Sequence, residues 1–229
     1  MARKSRPSKD RAPASTSVVV IGLGRFGRAL ALELADEHTE VLGIDADPEV
    51  VQSVSADLTH AVRADSTKED ALRQLGVHEF GGAVVGIGTN LEASILTASL
   101  LVSFGIPDVW AKAISEAHGR ILTQLGVHHV VHPEHDMGQR VAHLVRGRML
   151  DYIEFEDDFA MVKTRAPADI VGLRLADSAV RSRYGLTVVA IKRPGEGFTY
   201  ATPDTVVERD DTLIVAGRTH QTERFSELG

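Results

Sequence analysis

The chain has no cysteine. Disulfides, thiolate metal sites and cysteine nucleophiles are therefore excluded. It also lacks a long apolar run. A bilayer span takes about 20 apolar residues, and the longest candidate, Ile95 to Phe104, stops well short with Asn90, Glu92 and Asp108 close around it. No apolar stretch follows the first basic residues, so no secretory signal is read there. Net positive charge is missing as well. Lysines and arginines number 25 against 32 acids, and the formal charge is −7, which argues against a general nucleic-acid binder. These absences point to the cytoplasm. What remains is an ordinary globular composition, 43% hydrophobic and 25% charged over 229 residues. That length suits one to two domains with real cores.

Residues 1–17, MARKSRPSKDRAPASTS, set Arg3, Lys4, Arg6, Lys9 and Arg11 against a single acid. The segment has no apolar periodicity and reads as a disordered basic tail. It is either simply solvated or weakly drawn to anionic lipid or nucleic acid.

Order begins at Val18. The stretch VVVIGLGRFGRALALELADEHTEVLGID, residues 18–45, runs strand, glycine turn, helix, strand, acid. That is the fingerprint of a dinucleotide-binding βαβ unit. Gly22 lets the strand turn, Gly24 lets backbone N–H groups approach a pyrophosphate, and Gly27 lets the helix pack close to the strand. The helix N-terminus then offers orphan N–H groups and a positive dipole end.

From Val18 to about Gly147, short apolar runs alternate with amphipathic helices, as a parallel α/β sheet requires. Strands are expected at 18–22, 40–45, 60–64, 82–87, 108–112 and 128–131. Helices are expected at 25–37, 48–55, 68–75, 90–104 and 115–125. The whole reads as a doubly wound, Rossmann-type sheet, with ligand at the carboxyl ends of the strands.

Polar residues gather at those ends. Asp45 closes the second strand, where a carboxylate can accept ribose hydroxyls and would repel a 2′-phosphate. Asp47 either shares that role or caps the helix after Pro48. Asp65 either accepts from an adenine amino group or, like Ser66, caps the next helix. The fourth strand ends in GIGTN, where Gly86 and Gly88 permit close approach and Thr89 or Asn90 can cap. Arg25 sits within the glycine turn. A diphosphate needs no charge there, so a guanidinium suits additional phosphate oxygens, unless it simply faces solvent.

The run HHVVHPEHDMG, 128–138, holds His128, His129, His132 and His135, whose spacing fits no familiar zinc pattern. Val130 and Val131 read as a buried strand that Pro133 breaks, and Asp136 as the cap of a helix from Met137 to about Met149. Val141, Leu144 and Val145 on that helix suit pairing with a copy of itself or a bridge to the next lobe. Glu134 falls in the loop beyond the last strand, where a carboxylate can hold a hard cation. A composition shift at DYIEFEDDF puts a linker at 148–153. Residues 154–229 read as a smaller α+β lobe, with strands at 160–164, 187–192, 198–200 and 212–216, a hairpin turn at 194–197 and a short helix at 176–183.

Taken together, VIGLGRFG, VLGID, THAVRADST, VVGIGTNLEASILTASLL, IPDVWAKA and VVHPEHDMG resemble the RCK (regulator of potassium conductance, TrkA-type) family, and within it Ktr/Trk potassium-uptake regulatory subunits. The resemblance covers about 18–220, and the C-terminal lobe is TrkA-C-like by pattern. It implies dimers assembled into an octameric ring that docks on the inner face of a membrane potassium-transporting pore subunit. It implies ATP, ADP or NAD(H) in the Rossmann cleft, lined by Gly22, Gly24, Arg25, Phe26, Gly27, Asp45, Asp65, Ser66, Gly88 and Asn90. Arg25 would read the terminal phosphate, and Glu134 would hold a divalent or monovalent cation at the dimer interface. Some members bind cyclic di-AMP through an Asp-x-Arg motif followed by Asn. This chain keeps Arg181 but has Ala179 and Thr187 at the other two places. The function expected is a non-enzymatic, nucleotide-gated regulator, ahead of an NAD-dependent oxidoreductase or a freestanding nucleotide or cyclic-dinucleotide sensor, since fold alone does not fix function.

Overall fold

A computed structural model describes residues 17–146 and 149–229. The expected basic tail lies outside the described residues except for Ser17, which opens β1 (Ser17–Ile21). The chain continues through α1 (Arg25–Asp36), β2 (Glu40–Asp45), α2 (Pro48–Val54), β3 (His60–Arg63), α3 (Glu69–Gln74), β4 (Gly82–Val85), α4 (Leu91–Ser103), β5 (Asp108–Lys112), α5 (Glu116–Gln124) and β6 (His129–Val131). The expected strands and helices of this half stand within two residues of these bounds.

The six strands form one sheet in the order β3-β2-β1-β4-β5-β6, every pair parallel. This is the doubly wound order. The chain reverses direction across the sheet between β1 and β4, which opens a crevice at their carboxyl ends. The β-branched run of β1 fits a strand buried on both faces. Val19 and Ile21 join the core under Leu72, Leu101 and Leu122, while Val20 joins Leu23, Ala31, Val54 and Leu58 on the other face. The period of two along one strand thus feeds two helix layers, α1 and α2 on one side and α3 to α5 on the other.

The next helix corrects an expectation. α6 runs Pro133–Arg146, not Met137 to Met149. Proline is suited to the first helical position because its φ is preset and its missing N–H is not needed there. Asp136 therefore lies inside the helix rather than capping it, and Glu134 lies in its first turn rather than in a loop.

Two compact units divide between Glu134 and His135, ahead of the linker expected at 148–153. The reason is local to the second unit. Leu144 packs on its core, Arg140 donates to Asp151 at 2.5 Å, and His143 pairs with Glu223 at 2.8 Å. The unit continues through β7 (Met149–Phe155), β8 (Phe159–Arg165), α7 (Leu175–Ser178), α8 (Val180–Tyr184), β9 (Thr187–Lys192), β10 (Thr199–Tyr200), β11 (Thr212–Arg218) and α9 (Thr219–Ser226). Its sheet is antiparallel, in the order β10-β9-β11-β8-β7. This is the smaller α+β lobe expected.

Residues 149–153 belong to β7 instead of a linker. A register shift between Met149 and Asp151 hides the alternation, and charges belong on an edge strand. The single helix expected at 176–183 is broken at Ala179, which adopts φ 55°. Among the described residues no helix is long and apolar enough to cross a membrane.

Candidate nucleotide-binding site

The site is built by three glycines that let backbone segments touch. Gly22 turns at φ 91°, and its N–H donates to Ile44 O at 2.8 Å. A Cβ on Gly27 would stand 1.9 Å from Gly22 O, and one on Gly86 would stand 2.8 Å from the same oxygen. The ends of β1 and β4 and the start of α1 therefore meet with no room for a side chain. Gly24 is different: a Cβ there would meet nothing within 4 Å. It is the N-cap of α1, supplies no side-chain cap, and no acid follows in the first turn. The positive end of α1 is left open to an anion.

Asp45 joins the glycine turn to β2. Its Oδ2 accepts the Leu23 N–H at 2.7 Å and its Oδ1 accepts the Asp47 N–H at 2.9 Å. Each oxygen keeps a further lone pair for a ribose hydroxyl. Asp47 caps α2 through the Glu49 N–H at 2.8 Å. Asp65 caps no helix, since α3 starts from Lys68. Its Oδ1 accepts the Thr67 hydroxyl at 2.6 Å and the Thr67 N–H at 3.0 Å. The hydroxyl first, then the amide, holds the carboxyl below the usual carboxylate range. Ser66 turns inward and bonds Thr97 Oγ1 at 2.8 Å, so it presents backbone to the crevice. Asn90 caps α4 by accepting the Ala93 N–H at 3.0 Å.

These segments enclose a cavity of about 840 Å³, whose wall takes in Gly22, Gly24, Asp45, Asp65, Ser66, Gly88 and Asn90, with Ile44, Ile87 and Leu96 as its apolar surface. Arg25, Phe26 and Gly27 stand beside it at the start of α1, Arg25 exposed. Glu134 is ion-paired: its Oε1 accepts from Lys112 Nζ at 2.5 Å. That hydrogen bond chiefly keeps its carboxyl below the ordinary range, and the charges of Lys112 and Arg25 add to it. Lys112 escaped the sequence reading. The signal was a lysine ending the strand DVWAK, at the carboxyl edge where ligands bind.

Two of the four histidines of 128–135 have structural partners. His128 Nδ1 accepts the Val109 N–H at 2.9 Å, and His129 stacks on Trp110 and reaches Asp108 at 3.2 Å. Among the described residues no group of three His, Asp or Glu is placed to hold a metal. Arg181 lies in the second unit, in the wall of a separate cavity of about 530 Å³ together with Ala179 and Thr187.

A parallel 3-2-1-4-5-6 sheet with an open glycine turn and an acid closing β2 defines a Rossmann-type domain, here followed by a small α+β lobe. The chain belongs to the TrkA family: the TrkA-N domain model matches residues 18–133 and the TrkA-C domain model residues 159–228. It is 38% identical over 209 residues to Ktr system potassium uptake protein C of Bacillus subtilis, covering 91% of this chain and 95% of that one. It is 36% identical over 211 residues to Ktr system potassium uptake protein A of the same organism, covering 92% and 95%. The kinship expected from the motifs therefore holds. Among solved structures, the GsuK channel shares the fold at a TM-score of 0.65 and 16% identity. The match covers 97% of this chain and 40% of that longer one. The TrkA-N domain of the inner membrane protein ybaL from Escherichia coli matches at 0.51 and 18%, covering 58% and 98%.

Proposed function

We propose that the chain is the cytoplasmic, nucleotide-binding regulatory subunit of a potassium uptake system, working on the inner face of the membrane beside a separate pore subunit. The observation that carries the reading is the crevice between β1 and β4, where an uncapped helix start faces a cavity edged by Asp45. The kinship with the Ktr potassium uptake proteins supplies the transport context. The ligand is ATP, ADP or NAD(H), held by Gly22, Gly24, Arg25, Phe26, Gly27, Asp45, Asp65, Ser66, Gly88 and Asn90. Asp45 takes the ribose, the start of α1 takes the phosphates, and Arg25 reads the outermost one.

Assembly follows from α6. Met137, Val141 and Val145 repeat every four residues and are exposed, Val145 at 79%, while Leu144 turns to the core. Such an apolar stripe suits a second copy of the helix, and dimers built this way would close into an octameric ring. A nucleotide that binds one ring shape more tightly than another shifts the ring and so the pore. Glu134 serves a cation only after Lys112 has left it. Cyclic di-AMP at Arg181 lacks the acid and amide partners that the family motif carries.

Calorimetric titration with ATP, ADP, NADH and cyclic di-AMP, with and without a divalent cation, tests the ligand, and light scattering tests the assembly. Binding of an adenine nucleotide to a dimer or larger ring is expected. A monomer under every nucleotide condition would remove the ring. Turnover of NAD with any small alcohol or hydroxy acid would replace the regulator by an oxidoreductase.

A further inference from the structure

The nucleotide reading gives no task to Lys112, a charged residue beside the crevice. Lys112 ends β5 and is 9% exposed. Its Nζ has Glu134 Oε1 at 2.5 Å and the face of the Phe26 ring at 5.8 Å. A Cβ on Gly88 would lie 3.4 Å from that Nζ, so the ammonium stands directly behind the glycine loop that lines the cavity. Phe26 follows Arg25 at the start of α1, which places the same ammonium beside the open helix end.

The two members of this ion pair are unequal. The Lys112 side chain is 11% exposed and that of Glu134 is 64% exposed. A nearly buried ammonium needs an anion beside it, because water cannot solvate it there. A carboxylate standing mostly in water gives up its partner at little cost. A terminal phosphate offers Lys112 more charge and more acceptor oxygens than the carboxylate does, and the three donors of a flexible lysine can follow it.

We propose that the Lys112–Glu134 pair is a latch opened by the terminal phosphate of the bound nucleotide. Lys112 exchanges Glu134 for that phosphate, and Glu134 is released in the first turn of α6. The inference rests on the nucleotide reading above and adds its regulation. Glu134 and the phosphate compete for one ammonium, so each weakens the other's hold by the same factor. A ligand that ends at its first phosphate leaves the latch shut.

The test titrates ATP and AMP calorimetrically into the full chain, in the presence of a chelator, for the unaltered protein, Glu134→Gln and Lys112→Gln. Glu134→Gln removes the competitor and should bind ATP about threefold tighter or more, with AMP unchanged. Lys112→Gln should lose about tenfold or more for ATP and less than about twofold for AMP. An ion pair that only supports the fold gives another pattern: Glu134→Gln strands an ammonium, lowers Tm, and leaves ATP affinity equal or weaker. That result overturns the latch, as does an equal loss of ATP and AMP in Lys112→Gln. Should Lys112→Gln fail to fold, the sign of the Glu134→Gln effect decides alone. Unaltered protein that binds neither nucleotide overturns the nucleotide reading and the latch with it. Unaltered protein that binds ATP while Glu134→Gln shows no gain overturns the latch alone.

Discussion

Asp45 Oδ2 accepts the backbone N–H of Leu23 at 2.7 Å, so the acid that closes the second strand also fixes the glycine turn. Leu23 is 2% exposed, and its N–H loses its acceptor if the carboxylate is removed. Asp45→Ala should therefore destabilise the protein by about 1–3 kcal/mol, the cost of leaving a buried donor unpaired. Urea unfolding measures this directly. A loss of nucleotide affinity with unchanged stability would show that Asp45 serves the ligand only.

The glycines of the turn should separate into structural and ligand-facing positions. Gly27→Ala forces a Cβ to within 1.9 Å of Gly22 O and should cost more than about 3 kcal/mol, since backbone has to move. Gly24→Ala meets nothing within 4 Å. It should cost about 1 kcal/mol or less, the difference between glycine and alanine at an N-cap, yet it narrows the approach to the start of α1 and should weaken nucleotide binding. Thermal melts and calorimetry on the two variants check the split; equal destabilisation would refute it.

Arg25 is exposed at the first residue of α1. Arg25→Ala should weaken ATP by about tenfold or more, the value of a charge-assisted contact, and ADP by less than about threefold. Equal losses for the two nucleotides would rule out a role at the outermost phosphate.

Stability should fall at both ends of the pH range. His118 is 1% exposed; its Nδ1 accepts the Ile114 N–H at 3.3 Å, so the neutral ring carries its proton on Nε2. Burial first, then the nearby His132, lowers its pKa from 6.5. A lowered value means that the unfolded state takes the proton first, so stability is present above 6.5 and lost as pH falls below it. Tyr152 behaves in the opposite sense. Burial first, then the nearby Glu154, raises its hydroxyl to about 12 from 10.0. An unfolded tyrosine ionises before the folded one, so stability falls as pH rises from 10.0 toward 12. Urea midpoints across pH check both, and His118→Gln should flatten the acid limb selectively.

The first unit was legible because its elements announce themselves locally. Buried parallel strands are β-branched runs, and Asp47, Pro48 and Asn90 mark helix starts whatever lies around them. The second unit was less so. β7 carries Asp151, Glu154 and a register shift that scrambles its period of two, and α9 buries one large apolar residue, Phe225, among Thr222 and Ser226. β7 is placed by its hairpin mate, with Met161 opposite Ile153, and α9 by a partner distant in sequence, His143 against Glu223.

The same division runs through the site. The sequence by itself determined the glycine turn, the acid of β2 and the family, because these depend on residues close along the chain whose backbone demands only certain side chains can meet. Only the tertiary structure decided that Ser66 turns inward to Thr97 and that Glu134 meets Lys112. A charge's partner is set by distance in space, and β5 and the start of α6 come together only when the sheet forms.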